Sequence, residues 1–150
     1  MWRRIHGVDI DVDKLTVVLA DRLGAIVPEG FHVQPSDGML WYSADVGRFP
    51  GQLGDYHVGT SGTCVRDNLS DEGWTDADRV AAVAAQALDE LQDYVDEASH
   101  DPWPGERVPP RSYALFRDQL LHLWYGGPDI DGPVVLACEP IPLAQIQRSP

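Results

Sequence analysis

Lysine is nearly missing from this chain. Lys14 stands alone, arginine supplies the rest of the eleven Lys and Arg residues, and twenty-four Asp and Glu residues oppose them. The formal net charge of −13 repels nucleic-acid phosphates and anionic lipid, which argues against a nucleic-acid or membrane partner. It favours solubility, a cation or a basic partner. The preference for arginine, with abundant Ala, Asp, Gly and Val, reflects a GC-rich coding bias rather than mechanism. Cysteine is scarce as well: Cys64 and Cys138 are too few for a disulfide framework and lack CxxC spacing, so reduced thiols are expected. No long hydrophobic run exists. AAVAAQAL falls far short of a bilayer span, and MWRRIHGVDI reaches an aspartate before any apolar signal core develops. A cytoplasmic location is the expectation.

Catalytic signatures are also lacking. There is no HExxH, P-loop, GxGxxG or paired CxxC. In GTSGT, glycine follows Ser61 at +1, and the +2 position that a nucleophile elbow needs holds Thr63. Asp9, Asp11 and Asp13 alternate as a calcium loop would begin, but the required Gly and Glu positions hold Lys14 and Ala20. Asp129 and Asp131 in GPDIDGP have the chemistry of a turn. His6, His32, His57, His100 and His122 share no ligand spacing. No catalytic residue, metal site or cofactor is therefore assigned, and an enzyme is the less favoured class.

What the chain does contain is periodic structure. DKLTVVLADRLGAIVP places Leu15, Val18, Leu19, Leu23 and Ile26 on one helical face, with Asp11 or Asp13 as N-cap and Pro28 with Gly30 as the stop. FHVQPSDGMLWYSAD reads as a hairpin turning at PSDG. The glycine-rich stretch that follows suggests one strand around residues 56–58 and a second around residues 63–65. TDADRVAAVAAQALDELQDYVDEASH predicts a long helix opened by a Thr75/Asp78 capping box. Its apolar stripe is Val80, Val83, Ala84, Ala87, Leu88, Leu91, Val95 and Ala98. DPWPGERVPPR then breaks the pattern with four prolines, leaving Trp103 to drape over the core. SYALFRD, LLHLWYGG and PVVLACE read as three strands, and PIPLAQIQRSP as an extended edge or a final helical turn.

The expected architecture is α+β: two main helices packed on a mainly antiparallel sheet of about five to six strands, in one domain spanning residues 1–150. Two halves, residues 12–65 and 75–138, share the order helix, hairpin, strand. Leu40-Trp41-Tyr42-Ser43 in the first echoes Leu123-Trp124-Tyr125-Gly126 in the second, with an aspartate at each preceding turn and a second arm longer by two residues. Adjacent Trp and Tyr on a strand point to opposite faces, so one of each pair is free to be core while the other meets solvent or a partner.

The segments DGMLWYSAD, LDELQDYVDEASHDPWP and LHLWYGGPD resemble uncharacterised small acidic proteins of actinobacteria over most of residues 12–146. That resemblance implies no activity, cofactor or site residue. In element order alone the chain is similar to type III secretion chaperones and related small dimeric domains. These use an open sheet face and a helix to dimerise or to hold a partner segment. The leading expectation is a non-catalytic, acidic protein-binding module, chaperone- or immunity-like, whose partner is another protein or a second copy in a homodimer. Its interface would join Trp41, Tyr42, Trp124 and Tyr125 to the acidic helix residues Asp89, Asp93, Asp96 and Glu97. The alternative is a small enzyme or ligand-binding domain with a pocket lined by His57, Cys64 and His122.

Overall fold

A computed structural model describes residues 7–51, 61–69, 74–105 and 108–149. The chain opens with β1 (Gly7–Asp9) and α1 (Val12–Gly24), then β2 (Phe31–Ser36), β3 (Met39–Ala44) and β4 (Ser61–Cys64). A short helix α2 (Val65–Asn68) and β5 (Trp74–Asp76) lead into the long helix α3 (Ala77–Ser99). After it come β6 (Arg111–Arg117), β7 (Leu120–Gly126), β8 (Val134–Ala137) and β9 (Ile141–Pro142), closed by a 3-10 turn over Leu143–Gln145. The strand expected around residues 56–58 lies outside the described residues.

The fold is α+β, as expected, but its strands divide between two antiparallel sheets instead of gathering in one. The first runs β2-β3-β4; the second runs β6-β7-β8, with β9 also paired to β7. β1 and β5 form a separate antiparallel pair. The physical reason for the division is α3, which lies between β4 and β6 in the chain and packs against strands of both sheets.

Local chemistry explains the main elements. Asp11 caps α1, its carboxylate accepting from the Asp13 and Lys14 amides at 3.0 and 3.1 Å. Leu15, Leu19 and Leu23 from α1 are fully buried. Both hairpins turn through two residues with positive φ: Asp37 and Gly38 (52° and 77°), then Asp118 and Gln119 (55° and 63°). This is the type I′ geometry that matches the right-handed twist of paired strands. All eight residues of the expected α3 stripe are buried, joined by Ala81 and Gln92, and the alanines let the helix approach closely. Thr75 is taken up in β5, so α3 starts at Ala77 rather than from a cap at Thr75.

The inward faces of the two sheets meet this helix. On β3, Leu40, Tyr42 and Ala44 are buried; on β7, Leu121, Leu123 and Tyr125 are buried. Tyr42 and Tyr125 hold the same place in the two hairpins, because two extra residues in the second arm preserve the face of a period-two strand. The Tyr42 hydroxyl lies 3.1 Å from the Ala87 carbonyl, and the Tyr125 hydroxyl donates to the next carbonyl, that of Leu88, at 2.6 Å. Burial pushes both phenols above their ordinary range, so they are neutral donors at any physiological pH. Side chains also tie α3 to the second sheet: Ser112 Oγ donates to the Ala85 carbonyl at 3.0 Å, and Gln92 Nε2 to the Pro110 carbonyl at 2.8 Å.

Removing the Tyr125 hydroxyl leaves the Leu88 carbonyl its helical bond but deletes a short buried contact. Tyr125→Phe should therefore lower the unfolding free energy by about 1 kcal/mol in urea titration. Tyr42→Phe should cost somewhat more, because Thr63 loses a buried partner as well.

Candidate functional site

The four aromatics singled out from the sequence separate. Tyr42 and Tyr125 are buried as described, and the Trp103 ring meets the Tyr125 ring edge-on at 5.3 Å, the draping expected for Trp103. Trp124 points to the other face of β7 yet is also buried: it stacks on Tyr113 at 5.7 Å, and its indole N–H donates to the Gly127 carbonyl at 2.8 Å. One member of each pair was expected outside. Trp41 is half-buried, whereas Trp124 is covered where the chain folds back at Gly126–Gly127 to meet it. Trp41 lies on the face of β3 opposite Tyr42 and hence away from α3. The expected interface of four aromatics beside the α3 acids is thus not one surface.

The acidic half of that expectation is better assembled. Asp89, Asp93 and Glu97 are exposed on α3, and Asp96 is half-buried with its carboxylate accepting the Trp103 amide at 2.7 Å. Asp93 and Glu97, with Glu90 and Tyr94, form one wall of a groove of roughly 370 Å³ against β4, whose other lining is Tyr42, Ser61 and Gly62. Gly62 is required where the strand passes β3, since a Cβ there would meet the Leu40 carbonyl oxygen. The ring of Tyr94 packs edge-on to Phe31 at 6.0 Å and lies 6.3 Å from Tyr42, giving the groove an aromatic floor.

Beneath the groove runs a hydroxyl relay. Thr63 Oγ1 donates to Glu90 Oε1 at 3.0 Å and contacts the Tyr42 hydroxyl. Two hydroxyl hydrogens serve three contacts here, so when Thr63 donates to the carboxylate, Tyr42 donates to Thr63 and the Ala87 carbonyl is its alternative acceptor. The relay fixes the Glu90 carboxylate at the groove's rim. Burial, then repulsion from Asp89 and Glu97, raises the Asp93 carboxyl above the ordinary range; burial and Asp93 do the same to Asp96, against the Trp103 hydrogen bond. None of Asp89, Glu90, Asp93, Asp96 or Glu97 takes part in an ion pair among the described residues. What this arrangement can do chemically is attract and hold positive charge.

The alternative pocket does not come together in the same way. His57 lies outside the described residues. Cys64 is half-buried at the end of β4, opposite Met39, and His122 is half-buried on β7, opposite Leu115, in the other sheet. None of the described clefts has either in its lining. Cys138 is buried, and burial pushes its thiol up to about 12, which makes it a packing residue rather than a nucleophile. Among the described residues no group of three or more His, Cys, Asp or Glu side chains is placed to hold a metal ion, and no helix is long and apolar enough to cross a membrane.

Glu90, Tyr94, Thr63, Ser61 and Gly62 were not in the sequence-derived interface. Glu90 and Tyr94 carried a signal: at i, i+3, i+4 and i+7 they share a helical flank with Asp93 and Glu97. The β4 residues carried none. No family profile, curated protein or solved structure matches the chain.

A carboxyl raised in the folded state binds its proton more tightly there than in the unfolded chain. Its favourable contribution is complete below the unfolded value and is lost as pH rises through the folded one. Stability should therefore gain a small increment at Asp93 as pH falls from 7 through the carboxylate range. Asp93→Asn should raise stability at pH 7 by roughly 0.3 kcal/mol, a size held down by the exposure of the site, and should flatten that slope in urea unfolding.

Proposed function

We propose that the chain is a non-catalytic, acidic protein-binding module that holds a basic segment of a partner, in the manner of a chaperone or immunity protein. The observation that carries this reading is the groove between α3 and β4, where Glu90, Asp93 and Glu97 have no cationic partner among the described residues and stand beside the Tyr94 ring. Like charges at i and i+4 on a helix destabilise it, and here they also sit toward the negative end of the helix dipole. A basic segment would relieve both costs. An arginine is the better fit, since its planar guanidinium binds a carboxylate through two parallel hydrogen bonds and stacks on an aromatic face.

The net charge of −13 adds long-range attraction for such a partner, strongest at low ionic strength. Trp41, on the opposite face of its strand, lies outside this groove and has no part in the contact.

Titration with a short arginine-rich peptide at low salt should give saturable binding that weakens as salt is added. Neutralising the groove (Glu90→Gln with Asp93→Asn and Glu97→Gln) should weaken binding about tenfold, the yield of three partly exposed charge pairs. Removing acids elsewhere, Asp21→Asn with Glu29→Gln, should leave it nearly unchanged. Equal loss in both variants would reduce the interaction to bulk charge and contradict the groove.

A further inference from the structure

Among the described residues the outer edge of β6 is unpaired. The two-residue turn at Asp118 and Gln119 fixes which groups of β6 bond to β7: Arg117 and Leu120 flank the turn as a hydrogen-bonded pair, and so in alternation do Leu115 with His122 and Tyr113 with Trp124. The N–H and C=O groups of Ser112, Ala114 and Phe116 therefore point away from the sheet. Among the described residues no backbone hydrogen bond meets them, and β7 is the only strand paired with β6. β2, the edge strand in the same position of the other sheet, is blunted: by the same alternation its outer groups belong to Phe31, Val33 and Pro35, of which the Phe31 amide bonds to the Pro28 carbonyl and Pro35 has no N–H. β6 has no proline, glycine or acid, and its residues between the two arginines are only half-buried.

We propose that β6 pairs antiparallel with β6 of a second copy, centred on Ala114, joining the two β6-β7-β8 sheets. The register follows from the strand itself. With Ala114 opposite its counterpart, Ser112 faces Phe116 of the second copy, so all three outward N–H groups and all three carbonyls on each side find partners. The faces match too: small Ser112 meets large Phe116 on the inner face, and Tyr113 meets Leu115 on the outer one. The same register sets Arg111 opposite Arg117 of the second copy, a like-charge contact that the carboxylates around that turn offset. Arg111 is exposed and in no ion pair among the described residues. The antiparallel register carries it to the turn end of the second copy, where Arg117 is already paired with Asp131 at 3.0 Å and Asp118 and Asp129 leave an excess of negative charge.

Sedimentation of the full chain at about 0.15 M salt, where the mutual repulsion of two acidic copies is largely screened, should give twice the chain mass. Ala114→Pro, which removes the central outward N–H, and Leu115→Lys, which charges the outer-face contact, should each weaken the dimer at least tenfold with the far-ultraviolet dichroism unchanged. If Ala114→Pro loses its dichroism, Leu115→Lys decides alone. A wild-type chain that stays monomeric up to about 100 µM, or a folded variant that dimerises as the wild type does, overturns the proposal. The groove-neutralised variant should remain dimeric, which separates this surface from the peptide-binding one.

Discussion

Two tyrosine hydroxyls reaching consecutive carbonyls of one helix are the constraint on which the structure turns. Tyr42 comes from one sheet and Tyr125 from the other, and Ala87 and Leu88 offer them neighbouring backbone oxygens. Successive residues on a helix are about 100° apart, so a helix that meets two sheets at adjacent residues must have both flanks covered and one face left over. The buried stripe from Val80 to Ala98 fills the covered part. The remaining face is where Asp89, Asp93 and Glu97 stand in water.

The orientation of α3 thereby decides its charge. Rotation by one residue would bury carboxylates that have no cationic partner among the described residues, at a cost of several kcal/mol each, or would expose the alanines that permit close packing. Held as it is, the helix keeps its acids at the surface but concentrated toward its C-terminal end, where the helix dipole disfavours them. The fold tolerates that cost because Leu88, Leu91 and Val95 are buried from the same turns, and each such side chain is worth about 1.5–3 kcal/mol of burial. The unrelieved charge is therefore affordable, and it is the property from which a basic partner would gain most.

Much of this was legible residue by residue. The α3 stripe follows from its period and the first hairpin from Asp-Gly, while the place before the apolar run narrowed the α1 cap to Asp11 or Asp13, of which the structure uses Asp11. The echo of Leu-Trp-Tyr marked equivalent strand positions whose even offset keeps both tyrosines inward. What escaped was set by partners distant in the chain. Trp124 is buried by a backbone reversal that brings the Gly127 carbonyl back to its indole, and local alternation says nothing of such a return. The second hairpin turns through Gln119 at positive φ, a conformation glutamine does not advertise. The division into two sheets depends on where α3 inserts. Thr63 meets Glu90 across 27 residues of sequence, and the groove's Ser61 and Gly62 come from a strand that carries no motif.

The measurement that bears most directly on the central claim is a carboxyl-carbon chemical-shift titration of the folded chain with an arginine-rich peptide. The side-chain resonances of Glu90, Asp93 and Glu97 should move together and saturate at one stoichiometry, while those of Asp21 and Glu29 stay near their starting positions. Uniform small shifts over all carboxylates, or a perturbation centred away from α3, would contradict it.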